Sequence, residues 1–143
     1  MVDIEIKNIS KSYRNFKALD NISLKVKDKE YFIILGPTGA GKTTLLKLIS
    51  GLIKTDSGSI FFDGKDVTQE FAGQRNIGFM FENYALFPHM SIYDNIAYSG
   101  RVHARNASQT QAIVEQVLMM TLLTGRNDSL PEEMSGGMKQ RVA

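Results

Sequence analysis

The stretch Tyr31–Leu48, YFIILGPTGAGKTTLLKL, constrains this chain more than any other. An apolar run from Tyr31 to Leu35 predicts a strand, Gly36 to Gly41 form a glycine-rich turn, and Lys42, Thr43 and Thr44 open a segment of helical character. The spacing of Gly36, Gly41, Lys42 and Thr43 fits G-x-x-x-x-G-K-[ST], a loop that wraps phosphate groups. Backbone N–H groups can close around a polyphosphate only where side chains are missing, here at Gly36, Gly39 and Gly41, with Pro37, Thr38 and Ala40 between them. A helix starting near Gly41 adds unpaired N–H donors and the positive end of its dipole. Lys42 is expected to reach the β- and γ-phosphates, and the Thr43 hydroxyl to ligand Mg²⁺.

With 143 residues and 43% hydrophobic content, the chain has the size of one ordinary domain and enough apolar matter for a core. A net charge of +2, spread over scattered basic residues, gives no electrostatic reason to expect nucleic acid. The absence of cysteine excludes a disulfide framework and a thiolate metal site, and His89 and His103 are too few for a histidine-rich zinc site. No apolar run approaches the roughly 18 residues that cross a bilayer, and MVDIEIKNIS lacks a signal-peptide core. These features predict a soluble, cytoplasmic protein whose membrane connection, if it has one, is made through a partner.

Upstream of the loop, Val2, Ile4 and Ile6 alternate with Asp3, Glu5 and Lys7, the pattern of a half-buried strand. Ala18, Leu19, Ile22, Leu24 and Val26 resume a strand-like pattern, so an antiparallel hairpin should precede the loop. Tyr13, between them, suits either a core or edge aromatic or a platform on which a nucleotide base stacks, and spacing does not choose. Downstream, Thr44–Leu52 carries a helical apolar face ending at Gly51. Ile60-Phe61-Phe62, the Asp63-Gly64 turn and Val67 predict a second hairpin, and Ile77–Phe81 a buried strand leading to Glu82.

Beyond Glu82 the character changes. Tyr84-Ala85-Leu86-Phe87-Pro88-His89 is too apolar for an ordinary solvent loop and suggests a partner-binding cluster. Ser91 can cap a short helix through Asn95 to Tyr98. Ser108 to Leu123 predict a stronger helix with Ile113, Val114, Val117, Leu118, Met120 and Leu122 on its buried side, the methionines as core filler. Pro131 then breaks the chain before Ser135-Gly136-Gly137, a hydroxyl and two side-chain-free amides at the start of another helical segment.

Taken together, Gly36–Thr43, Glu82 to Met90 and Ser135-Gly136-Gly137 before Gln140-Arg141-Val142-Ala143 resemble the nucleotide-binding subunit of an ABC transporter, over nearly the whole chain and in the family's order. The resemblance implies an α/β fold: a P-loop NTPase core with an antiparallel β subdomain over residues 1–81 and a helical subdomain over 82–143, cut before the Walker B strand. It implies ATP and Mg²⁺ as ligands, with Gly36–Thr44 on the phosphates, Tyr13 on adenine, and Thr43 and Glu82 on the metal. Glu82 falls at the Q-loop, where the family usually has glutamine; Ser135, Gly136, Gly137 and Met138 match the signature that touches ATP held by the opposing subunit, with Met138 in place of the usual glutamine. The implied working unit is a head-to-tail dimer, peripheral on the inner face of the membrane, with a transmembrane permease docked near Tyr84–Met90. The wording of that stretch is most similar to importers. Because the chain stops at Ala143, before the Walker B aspartate and the glutamate that polarises water in the family, it is expected to bind ATP better than it hydrolyses it. The loop strand should also lack its sheet neighbours and expose an edge.

Overall fold

Alternating apolar and charged residues at the N-terminus make a strand that can be buried on one face and paired on both edges, and β1 (Ile4–Tyr13) occupies that position. The computed structural model describes residues 2–143. β1 pairs antiparallel with β2 (Phe16–Val26) on one side and β3 (Ser57–Phe62) on the other, and β4 (Lys65–Asp66) completes the order β2-β1-β3-β4. Strict alternation from Ile4 and Ile6 would turn Asn8 inward. A bulge at Asn8, whose φ is +51°, adds a residue and brings Ile9 into the core instead, fully buried. Ser23 Oγ accepts from the Asn8 N–H and donates to Asn8 Oδ1, holding the bulge from β2. On β3, Gly58 lies so close that a Cβ there would collide with the Lys7 and Asn8 carbonyl oxygens.

The helix α1 (Lys42–Ile49) lays Leu45 and Leu48 on the sheet, where Ile6, Ile9, Leu19, Ile60, Phe62 and Val67 complete one core. Its far end stops at Gly51, in the left-handed region at φ +73°, with the Gly51 N–H on Leu48 O and the Leu52 N–H on Lys47 O. The short helix α2 (Ala72–Arg75) packs there, so tightly that a Cβ on Gly51 would stand 2.7 Å from Arg75 Nε.

Where β1 runs out, Asp56 ties it to the approach to β3. Lys11 Nζ donates to Asp56 Oδ1 at 2.6 Å and the Ser12 N–H to Oδ2 at 2.7 Å. The lysine hydrogen bond, then the backbone one, holds the carboxyl below its ordinary value of 3.8. A depressed acid contributes stability above its unfolded value and loses it as pH falls through the folded one. In urea titrations at stepped pH, the wild type should therefore lose stability below about pH 3.8 more steeply than Asp56→Asn; parallel pH profiles would count against this tie.

Two expected strands do not form. Residues 31–35 carry no strand pairing, and Tyr31 and Leu35 are 89% and 87% exposed. An apolar run becomes a strand only against a neighbour that takes its N–H and C=O groups, and the one sheet among the described residues, wholly antiparallel, offers none. Ile77–Phe81 is irregular for the same reason, and Phe81 is exposed.

By its contacts the chain divides into two compact units, Met1–Phe79 and Met80–Ala143. In the second, Ser91 caps α3 (Ile92–Val102) through its side chain, and the helix runs a turn beyond the predicted end. Asn106 caps α4 (Ala107–Met120) in the same way. The two helices approach closely at Gly100, where a Cβ would lie 2.8 Å from Thr110 Oγ1. Ile92, Ala97, Val114, Leu118, Leu123 and Met134 form the core. The expected buried face of α4 is thus corrected: Ile113, Met120 and Leu122 are exposed, the last two at 75% and 85%, and the helix's own methionines, Met119 and Met120, do not fill the core. The apolar arc of α4 is wider than the line Thr110, Val114, Leu118 that α3 covers.

Candidate phosphate-binding site

The loop from Gly36 to Gly41 is irregular up to a turn closed by the Ala40 N–H on Pro37 O, and α1 begins directly after it. Its three glycines do different work. Gly39 sits at φ +85° with nothing near its α-carbon, so it is there for conformation. Gly41, at φ +83°, caps α1 without a side chain, and a Cβ would collide with the Ala18 carbonyl oxygen and reach within 2.8 Å of Leu19 Cδ2. Its bareness seats the helix start directly on β2. At Gly36 a Cβ would press on Ala40 Cβ at 3.3 Å, a packing reason for glycine.

The first helical hydrogen bond runs from the Leu45 N–H to Gly41 O, so the N–H groups before it have no acceptor within the helix. No acidic residue stands in the first turn and Lys47 stands in the last. Lys42 opens the helix, where the dipole disfavours a cation. Its ammonium is held instead by two loop carbonyls, Gly36 O and Pro37 O, each at 2.8 Å. Helix N–H groups and an ammonium beside a bare, exposed loop are the kind of donors that a multiply charged anion requires. Thr43 is exposed on the first turn and Thr44 half-buried. Beside the loop, between β2 and residues 32–35, lies a cavity of about 360 Å³ in which Lys42 is the one charged lining residue.

Tyr13 pairs with Phe16 across the tip of the β1–β2 hairpin and is 45% exposed, so it is an edge aromatic rather than a core one. Lys11 Nζ lies 5.7 Å from its ring centroid. Phe16, still more exposed, gives this tip a second aromatic. The strand β2 connects the tip to Ala18 and Leu19, the residues against Gly41, so the loop and the tip belong to one unit.

The remaining expected site residues belong to the second unit. Glu82 is exposed in a turn closed by the Tyr84 N–H on Phe81 O. Ser135 caps α5 (Gly136–Val142), its Oγ accepting from the Met138 N–H at 3.3 Å, while Met134 before it is buried. A Cβ on Gly136 or Gly137 would meet nothing within 4 Å, so packing within the chain gives no reason for either glycine.

Two residues carry structure that the sequence reading missed. Arg75, 6% exposed, donates from Nη1 to Leu48 O and Ile49 O at 2.7 and 2.8 Å, from Nε to Glu70 O and from Nη2 to Thr68 O. It caps the end of α1 opposite the phosphate loop. Asn95 grips the loop before α3 through four hydrogen bonds. Lone polar residues in polar surroundings give no periodic signal that would have revealed either role.

Residues 19–143 match the family model described as ABC transporter. The chain belongs to that family. The sulfate/thiosulfate import ATP-binding protein CysA of Pseudomonas aeruginosa is 44% identical to this ABC chain over 146 residues, covering 99% of it and 44% of the relative. The protein of the same name from Synechococcus elongatus is 42% identical over 142 residues, covering 99% and 41%. The chain thus spans less than half the length of these curated relatives. Among solved structures, the dimeric post-hydrolysis state of the ATP-binding cassette MJ0796 bound to ADP and Pi superposes with a TM-score of 0.87 at 27% identity, covering 97% of this chain and 66% of that one. The expected fold, a P-loop NTPase with an antiparallel sheet and helices, is that of the family. No helix among the described residues is long and apolar enough to cross a membrane.

Proposed function

We propose that this chain is the nucleotide-binding part of an ABC importer's ATP-binding subunit, coupling ATP binding and hydrolysis to transport. The observation that carries the reading is the Lys42 ammonium at the open N-terminus of α1, satisfied by two loop carbonyls that phosphate oxygens can replace. Residues 36–44 hold the phosphates and Tyr13 offers adenine an exposed ring face. The Thr43 hydroxyl is the metal ligand of the first turn. Among the described residues no group of three or more His, Asp or Glu gathers as a metal cage. Mg²⁺ takes few protein ligands and keeps waters and phosphate oxygens. When bound, Mg²⁺ neutralises charge on the β- and γ-phosphates; Glu82 is its second proposed ligand.

Ser135 to Met138 are proposed to meet the nucleotide held by a second subunit in a head-to-tail dimer. Bare, exposed amides at Gly136 and Gly137 support this, since glycine in a helix costs about 1 kcal/mol against alanine and nothing inside the chain needs them. Tyr84–Met90 is the proposed docking place of a transmembrane permease, which would hold the subunit on the inner face of the membrane. Sulfate and thiosulfate, named for the relatives above, are the first cargoes to test.

Isothermal titration with Mg-ATP tests the site. Lys42→Ala should weaken binding by about 30- to 150-fold, the worth of losing charge-assisted hydrogen bonds of about 2–3 kcal/mol, while the melting temperature stays within a few degrees. Equal affinities for the two proteins would sink the assignment.

A further inference from the structure

We infer that Asn95 is a positioning residue that sets the shape of the Phe87–Ser91 loop for docking to the transmembrane partner. The inference rests on the permease-docking role proposed for Tyr84–Met90. One side-chain amide holds this loop: Asn95 Oδ1 accepts from the Phe87 N–H at 2.8 Å, and Nδ2 donates to Phe87 O at 3.2 Å, Met90 O at 3.1 Å and Ser91 O at 2.9 Å. Both backbone groups of Phe87 are therefore taken by one residue, as a neighbouring strand would take them. The loop's own backbone adds the Met90 N–H on Phe87 O at 3.2 Å.

Three positions along α3, and so on the same face, Tyr98 meets the Phe87 ring at 4.6 Å between centroids. His89 approaches the same ring edge-on at 6.3 Å. The helix thus holds the loop twice, by its backbone through Asn95 and by its ring through Tyr98. What it holds is not buried: Phe87 is 37% and Tyr98 41% exposed. A grip of four hydrogen bonds that leaves aromatic rings in water adds little to the core and presents a defined surface. Helix α3 itself is anchored by the Ser91 cap and by Ile92, fully buried in the core.

The amide is the one group that fits. Aspartate keeps the acceptor for the Phe87 N–H but sets a carboxylate against three carbonyl oxygens, and alanine takes the side-chain partner from all four backbone groups, leaving Phe87 O the Met90 N–H and Ser91 O the Asn95 N–H.

The test uses the native-length subunit and its transmembrane partner in detergent. Asn95→Ala, which removes the acceptor of the Phe87 N–H, should speed hydrogen exchange at the Phe87 amide and weaken binding to the partner, each by about tenfold, the worth of roughly one hydrogen bond. Mg-ATP affinity and melting temperature of the free subunit should hold. Phe87→Ala, which leaves the four backbone bonds in place, should weaken partner binding without changing exchange at residue 87. Unchanged exchange in Asn95→Ala overturns the grip, and unchanged partner binding with faster exchange overturns the positioning role. If Asn95→Ala melts early, Phe87→Ala decides: full partner binding by that variant overturns the inference. A wild-type subunit that binds no transmembrane partner overturns the docking reading, and the positioning role with it.

Discussion

Replacing Arg75 with alanine is expected to lower the unfolding free energy by about 2–4 kcal/mol, one of the largest effects of any single change in the first unit. The guanidinium is almost fully buried and reaches four carbonyls at once, two of them the last of α1. Burial pushes its pKa below the ordinary value, an effect that Glu70 partly offsets, yet the group stays a cation at neutral pH. A cation is well placed there because the end of a helix gathers negative partial charge. Removal takes the guanidinium donor from all four oxygens and leaves Leu48 O the Gly51 N–H alone. Lysine should recover only part of the loss, because a single ammonium does not reproduce the fork. Guanidinium chloride unfolding of the three proteins checks this, and a loss below about 1 kcal/mol for alanine would show that water replaces the side chain at little cost.

Gly41→Ala is expected to abolish detectable Mg-ATP binding and to cost about 2–3 kcal/mol of stability. Two penalties coincide at this residue. Its φ of +83° is unfavourable for any side chain, and a methyl group would strike the Ala18 carbonyl oxygen on β2. The loop must lift off the strand, and the helix N-terminus with it, so the amides lose their convergence. Gly39→Ala makes the informative comparison: it carries the same conformational penalty but meets no neighbour, so its loss should be smaller. Calorimetry on both variants separates strain from collision, and equal effects would mean that contact with β2 is irrelevant.

What could be read from the residues was what depends on local chemistry. The loop motif, the two hairpins, the Ser91 cap and the helix after Pro131 were all legible, because turn residues, caps and alternation act within a few positions. What escaped depends on partners distant in the chain. Ile9 could not be placed in the core by alternation, since a bulge at Asn8 resets the period. Tyr31–Leu35 has the composition of a strand, but strand formation is a property of a pair. On α4 the expected buried side was wider than the line Thr110, Val114, Leu118 that is covered, and Ile113 and Met120 fell outside it. The motif also treated its three glycines alike, as room for phosphate, whereas Gly41 is bare chiefly so that β2 can support the loop.

The paired carbonyl contacts of Lys42 have a thermodynamic corollary. Before any nucleotide arrives, the ammonium already makes two good hydrogen bonds at 2.8 Å. Capture of phosphate is then an exchange of acceptors, neutral oxygens for charged ones, in which the number of bonds hardly changes. The favourable part of that exchange is the difference in charge, which mobile ions screen at an exposed site. At the proposed phosphate site, the share of affinity that Lys42 contributes should therefore fall as the salt concentration rises.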